Sequence, residues 1–249
     1  MFLKNWDDLP PKMKNKDVRE YYEVLSSKRI SLFFKRLFDI VVAVILLIIL
    51  SPVFLVVGIL IKADSKGSVM YRQTRVTQYG RQFKVFKFRT MVDNADKIGS
   101  LITTEKDTRV TKIGGPLRKL RLDEIPQLLN IIAGDMTFVG IRPEIPKYVE
   151  RYTDEMLATL LLPAGVTSEA SIRYKDEEYL LSSLEDIDET YLNEVLPRKM
   201  GYNLKGIKEF SIFNDIKTML RTVLIVVKDK EDDNNSVAVF TASKKEIKM

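Results

Sequence analysis

The sequence predicts an α+β protein, helix-dominant, with one membrane-embedded segment near its N-terminus. Three observations predict it. Ile40–Ile61, IVVAVILLIILSPVFLVVGILI, runs for 22 residues without a charge. Strand-like alternation is confined to one short stretch between 69 and 91, and helical spacing of apolar residues recurs on both sides of it.

Composition narrows the chemistry before any motif is read. The 249 residues are 45% hydrophobic, enough for a folded core, and 40 Lys and Arg against 34 Asp and Glu leave a net charge of +6. That balance favours polyanions, whether nucleic acid, anionic lipid or phosphorylated ligands, and does not choose among them. Cysteine is absent, which excludes a disulfide framework, a thiolate nucleophile and a cysteine zinc site. Histidine is absent too, so chemistry near neutral pH falls to carboxylates, Lys, Tyr or a hydroxyl. There is no P-loop, no dinucleotide fingerprint and no nucleic-acid module, so nucleic acid is not the expected partner.

Residues 1–30 are polar and contain no apolar run, which argues against a cleavable signal there. Val18, Tyr21, Tyr22 and Leu25 follow the spacing of one helix face, with Asp17 as a candidate cap. The uncharged run from Ile40 is roughly 33 Å long as a straight helix, enough to reach across a bilayer. Ser51 and Pro52 interrupt it at the middle, where proline removes an amide donor and forces a bend. Lys28, Arg29, Lys35 and Arg36 precede the run and Lys62, Lys66, Arg72 and Arg75 follow it, so the positive-inside rule gives no direction. The residues alone favour a kinked crossing, the commoner arrangement for such a run.

VMYRQTRV and QFKVFKFRTM, joined by TQYGRQ, predict a small β-hairpin. In its second strand Phe83, Val85, Lys87 and Arg89 alternate with Lys84, Phe86 and Phe88, which places Lys87 and Arg89 on one face. A helix is expected to start within Asp93–Ser100, and DTRVTKIGGPLRK turns into another. The segment RKLRLDEIPQLLNIIAGDMTFVGIRPE follows, from Arg118 to Glu144. Ile125, Leu128, Leu129 and Ile132 form a helical face, Gly134 stops it, and the carboxylates Asp123 and Glu124 fall at its expected start. Free amides there would suit phosphate oxygens. Arg118, Lys119, Arg121 and Arg142 flank the pair. Two readings stay open on these residues alone: a site for a phosphorylated substrate, or acids at a helix N-terminus paired with nearby arginines. Beyond it, residues 176–194 hold acids and no base, a solvated face, and Ile216, Met219, Leu220, Val223, Leu224 and Val227 form an apolar stripe for a lipid interface or a core.

RLDEIPQLLN, GDM and FVGIRPE, together with YRQTRV, KFRTM, DTRVT and LLPAGVTSEASIRY, resemble the motifs of the bacterial sugar transferase family, the monotopic phosphoglycosyl transferases. The likeness runs from about Lys35 to about Thr222. It implies a polyprenyl-phosphate glycosyl-1-phosphate transferase that starts surface glycan synthesis (capsule, exopolysaccharide, O-antigen or glycoprotein). The donor is then a UDP-sugar, the acceptor polyprenyl (undecaprenyl) phosphate, and the released nucleotide UMP. By the same resemblance Asp123 is the nucleophile that accepts the phospho-sugar and a ligand of Mg²⁺, Glu124 supports the chemistry, and Lys87, Arg118 and Arg142 bind the diphosphate. Ser51 and Pro52 match the family's helix break, which turns the expectation from a crossing to a re-entrant helix in the cytoplasmic (inner) membrane. The catalytic domain would face the cytoplasm, with interfacial amphipathic helices against membrane lipid. The implied organisation is an N-terminal extension over 1–30, the helix-break-helix over 31–66, the catalytic domain over 67–228 and a tail over 229–249. A homodimer is compatible with it. The chain departs from the family pattern at Ser68, Thr77, Ile141, Ser168 and Glu169. The rival from another class is a non-catalytic membrane-anchored scaffold for glycan enzymes.

Overall fold

The computed structural model describes residues 3–95, 107–174 and 187–228. The acids at 176–186, most of the helix expected from Asp93 and the tail over 229–249 lie outside them. What is described is helix-dominant, with two small two-stranded sheets.

Helix α1, Lys16–Ser26, buries the four residues its spacing selects, Val18, Tyr21, Tyr22 and Leu25. Its cap is Asn15, whose Oδ1 accepts the Val18 amide at 2.8 Å, rather than Asp17, which lies inside the first turn. The buried face meets Leu3, Leu9 and Met13 before it and Leu160, Leu161, Leu204, Ile207 and Phe210 far along the chain. The N-terminal segment therefore shares a core with the distal half of the protein.

Helices α2, Arg29–Ile49, and α3, Ser51–Asp64, meet at Leu50 with a bend of 60°. Proline at position 52 has no amide to donate to the Ile48 carbonyl, and the Ser51 hydroxyl donates to that carbonyl instead, at 2.8 Å. The break thus replaces the hydrogen bond that proline removes. Among the described residues no single helix is long and apolar enough to cross a membrane, whereas this bent pair is by length and composition. Phe34, Leu37, Val41, Ile45 and Ile48 form an exposed stripe on α2, continued by Leu55 and Ile59 on α3.

The opposite face of α2 fastens the pair to the rest. Lys35 and Asp39 are buried there; Lys35 Nζ lies 2.5 Å from Asp215 Oδ2, and Asp39 accepts hydrogen bonds from Thr137 Oγ1 at 2.5 Å and the Phe138 amide at 3.4 Å. Buried charges of this kind persist only when paired. Arg36 donates to the Ile131 and Ile132 carbonyls, at 2.7 and 3.2 Å, a cation on the negative end of the helix that follows the acidic pair.

Strands β1, Met70–Val76, and β2, Gln82–Phe88, form the antiparallel hairpin the sequence predicts. Phe83 and Val85 enter one core, while Phe88 packs with Val57 and Ile61 of α3 and with Leu117. Helix α4, Gly114–Lys119, leads through a 3-10 turn, Leu122–Glu124, to α5, Gln127–Ala133, which Gly134 ends at φ 89°. Strand β3, Met136–Val139, runs parallel to β4, Ala164–Thr167, with the short helix α6, Pro146–Val149, and a 3-10 stretch, Met156–Leu161, between them. A Cβ on Gly165 would sit 2.2 Å from the Gly140 amide nitrogen, so only glycine allows the two loops to touch there. Thr77 is buried and joins the sheets: its hydroxyl donates to the Asp135 carbonyl at 2.6 Å and accepts the Ala164 amide at 3.1 Å.

Helix α7, Glu169–Arg173, precedes α8, Ile187–Thr190, which passes through a π turn at Tyr191–Val195 into α9, Leu196–Lys208. Last comes α10, Ile212–Lys228. Phe213, Leu220, Val223 and Leu224 are exposed on it while Met219 packs inward, so most of its apolar stripe is left uncovered.

Candidate active site

The acidic pair sits on a turn rather than at a helix start. Regular helix begins at Gln127, with Pro126 as its N-cap, so Asp123 stands four residues ahead of it. The helix is only seven residues long, and neither its dipole nor its first amides account for the pair. The backbone turns instead at Arg121, held left-handed at φ 55°. For a long non-glycine side chain that conformation costs on the order of 1–3 kcal/mol and persists where surrounding structure enforces it. Leu122 and Ile125 supply that enforcement, packed beside Val57 and Ile61 of α3. Helix α3 therefore backs the acidic turn.

Asp123 is 8% exposed, and Glu124 accepts two cations on one oxygen: Lys87 Nζ at 2.9 Å and Arg142 Nη2 at 3.2 Å. Lys87 arrives from β2 and Arg142 from the loop after β3, so three separate stretches of sequence converge. The two carboxyls respond in opposite directions. Burial would raise Glu124, but Lys87, Arg142 and Arg121 outweigh it and hold this carboxyl well below the usual range. Burial raises Asp123, Lys87 opposes that, and the charge on Glu124 adds to the rise.

Of the remaining predicted residues, Arg118 is half-buried on α4, close enough to lower Asp123 electrostatically. Lys87 and Arg89 take different partners. Arg89 lies one residue past β2 and donates to the Ser65 and Lys66 carbonyls, tying the strand to the end of α3. Ser51 and Pro52 are at the helix bend, at the start of α3, and Val53 and Phe54 just after them join the apolar cluster that holds Leu122 and Ile125.

Three contributors to the site have no role assigned in the sequence reading. Arg121 influences both carboxyls, and its signal was its place two residues before Asp123. Arg75 donates to the Pro143 carbonyl at 3.2 Å and so fixes the residue after Arg142. Glu144, on the other side, accepts the Tyr191 hydroxyl at 2.6 Å, with Lys199 Nζ 3.1 Å from that hydroxyl. Nothing in sequence spacing connects Tyr191 or Lys199 to the arginine loop.

A hard divalent cation fits this site on chemical grounds. Among the described residues no three or more acids cluster into a ready-made metal cage. Mg²⁺ needs none, because one or two carboxylates suffice when phosphate oxygens and water complete its octahedron. Glu124 is already engaged by Lys87 and Arg142, which leaves Asp123 as the carboxylate the turn offers.

The family model described as bacterial sugar transferase matches residues 30–229. The UDP-N-acetylgalactosamine-undecaprenyl-phosphate N-acetylgalactosaminephosphotransferase of Aeromonas hydrophila is 32% identical over 198 residues, 78% of this chain and 44% of that protein. The UDP-glucose:undecaprenyl-phosphate glucose-1-phosphate transferase of Klebsiella pneumoniae is 36% identical over 200 residues, 78% of this chain and 40% of that protein. The chain thus spans less than half the length of these two relatives. Over 76% of this chain and 83% of the other, the exopolysaccharide production protein ExoY of Rhizobium meliloti is 31% identical.

Proposed function

Because the chain belongs to the bacterial sugar transferase family, we propose that it moves a sugar-1-phosphate from a UDP-sugar to undecaprenyl phosphate through a covalent intermediate on Asp123. The observation that carries this is the convergence of Lys87 and Arg142 on one oxygen of Glu124 beside the buried Asp123, an arrangement in which burial raises one carboxyl and the cations lower the other. Paired acids pushed apart in this way take different roles.

Asp123 is the nucleophile. A desolvated carboxylate of raised basicity is the better attacker, and one of its oxygens bonds to the phosphorus that bears the sugar. The bridging P–O bond of the diphosphate breaks, and its electron pair leaves with UMP. A phosphate oxygen of the lipid acceptor then bonds to the same phosphorus, the bond to Asp123 breaks, and the product is an undecaprenyl diphosphate sugar. Glu124, ionised throughout, holds Lys87 and Arg142 where they meet the diphosphate, and Arg118 lies within electrostatic reach on the same side. Cations fixed in place before reaction stabilise the charge that gathers on the leaving phosphate. Mg²⁺, held by Asp123 and the substrate's phosphates, would add Lewis-acid neutralisation of that charge.

The test supplies membranes holding the protein with radiolabelled UDP-sugars. Label is expected in the lipid phase with UMP released; UDP in place of UMP, or no lipid label from any donor, would sink the proposal. A scaffold would give neither label nor nucleotide.

The bent pair is, on this reading, a re-entrant helix in the cytoplasmic membrane, with the acidic turn on the cytoplasmic side and α10 in the lipid interface. The exposed stripes of α2, α3 and α10 support it. Reporter tags at the N-terminus and after α10 are expected to react only from the cytoplasm. Labelling of the N-terminal tag from outside would return the pair to a kinked crossing.

A further inference from the structure

We infer that Asn130 is a positioning residue of the active site, setting Lys87 against Glu124 by closing the free edge of strand β2. The inference rests on the role given to Lys87 above.

In the hairpin, the Arg89 amide donates to the Val69 carbonyl at 2.9 Å, which fixes the phase of the ladder. Counting back by two, Lys87 and Val85 turn their backbone groups toward β1, whereas Phe86 and Lys84 turn theirs away from it. An outward N–H and C=O on a half-buried strand need partners. No third strand supplies them among the described residues, where the sheet has two strands. Asn130 does. Its Oδ1 accepts the Phe86 amide at 2.9 Å, and its Nδ2 donates to the Lys84 carbonyl at 2.8 Å. The carboxamide offers one acceptor and one donor in the spacing of a neighbouring peptide, so one side chain stands in for a strand.

The consequence reaches the site because of where Asn130 sits. It is fully buried in α5, six residues after Glu124, and it grips the backbone on the N-terminal side of Lys87. The same short helix is held at its other end by Arg36 of α2. Glu124 and Lys87 thus meet across a rigid bracket whose only direct backbone link between α5 and β2 is this amide pair, among the hydrogen bonds of the described residues. A leucine of similar size would fill the space and hold neither group.

The experiment is a double-mutant cycle on kcat/KM with Asn130→Ala and Lys87→Met, with the thermal midpoint of each protein and amide exchange of the peptide holding Phe86. Asn130→Ala is expected to lower kcat/KM by about 30-fold, and the double variant to be no worse than Lys87→Met alone, because residues acting through one another are not additive. The Phe86 amide is expected to lose protection while amides bonded to β1 keep theirs. Losses that multiply in the double variant would overturn the inference and leave the proposed function standing. Unchanged protection at Phe86 would overturn it as well. Wild-type activity in Lys87→Met would remove the role of Lys87 and the inference with it. If Asn130→Ala does not fold, Asn130→Asp keeps the volume and the acceptor for the Phe86 amide while setting an oxygen against the Lys84 carbonyl, and the same non-additivity with Lys87→Met is expected.

Discussion

Asp123→Asn is expected to reduce turnover by roughly 10⁴-fold or more, the scale on which an enzyme loses activity when its nucleophile is removed. Asparagine keeps the shape and loses the attacking oxygen anion, so no phospho-enzyme forms. Folding is expected to survive. The Asp123 carboxyl is raised by burial, so its ionised form is less stable in the folded protein than in the unfolded chain. A group of that sign costs stability above its folded pKa and costs none below its unfolded value. The Asp123→Asn protein should therefore be as stable as wild type or slightly more so at neutral pH, with the gain vanishing as acid protonates the wild-type side chain. Activity and thermal midpoint measured together separate this from misfolding. Retained turnover in a folded Asp123→Asn protein would exclude the covalent route, and so would intact-mass spectra showing no sugar phosphate on the wild-type protein mixed with donor alone.

Much of the arrangement was legible because it is local. The helix face of Val18, Tyr21, Tyr22 and Leu25, the hairpin, the stop at Gly134 and the break at Ser51 and Pro52 are each written within a dozen residues. Lys87, Glu124 and Arg142 were each found by motif resemblance, and the structure brings them within hydrogen-bond distance. What spacing could not give is whatever depends on meetings across the fold. The parallel pair of β3 and β4 has strands of four residues, too short for alternation to register, and is set by the contact of Gly140 with Gly165. The capping of α5 by Arg36 and the bracket at Asn130 join residues 95 and 44 positions apart at their nearest bonds. The helix expected to begin at the acidic pair failed for a local reason that periodicity does not encode. Arg121 adopts a left-handed backbone, which breaks the helical path and leaves Asp123 on an irregular turn.

Glu124→Gln is the variant that tells an anchor from a proton carrier. A glutamate held far below its ordinary value near 4.5 has no proton to give at neutral pH. Its value to the site is then its charge, which fixes Lys87 and Arg142 at 2.9 and 3.2 Å. Glutamine can still accept a hydrogen bond but leaves two cations facing each other without an anion between them. A loss of about 10²-fold in kcat/KM is expected, the lower range for removing one preorganised electrostatic element. The loss should persist from about pH 6 to pH 9, where Glu124 is ionised throughout. Any acid limb that Asp123 sets should move to lower pH without being lost, because the charge on Glu124 contributes to the rise of Asp123. A proton carrier would instead lose one limb. Stability gives an independent reading. Because the folded value is depressed, Glu124 stabilises the protein above its unfolded value near 4.5, and that contribution drains away as pH falls from there toward the folded value. Wild type should therefore unfold at a higher temperature than Glu124→Gln at pH 7, and the two curves should converge below about pH 4. Lys87 and Arg142 are partly exposed, so solvent screening keeps the gap at pH 7 to about 1 kcal/mol. Curves that run parallel through the acid range would mean that Glu124 is not ionically held, and its role as the anchor of both cations would fall.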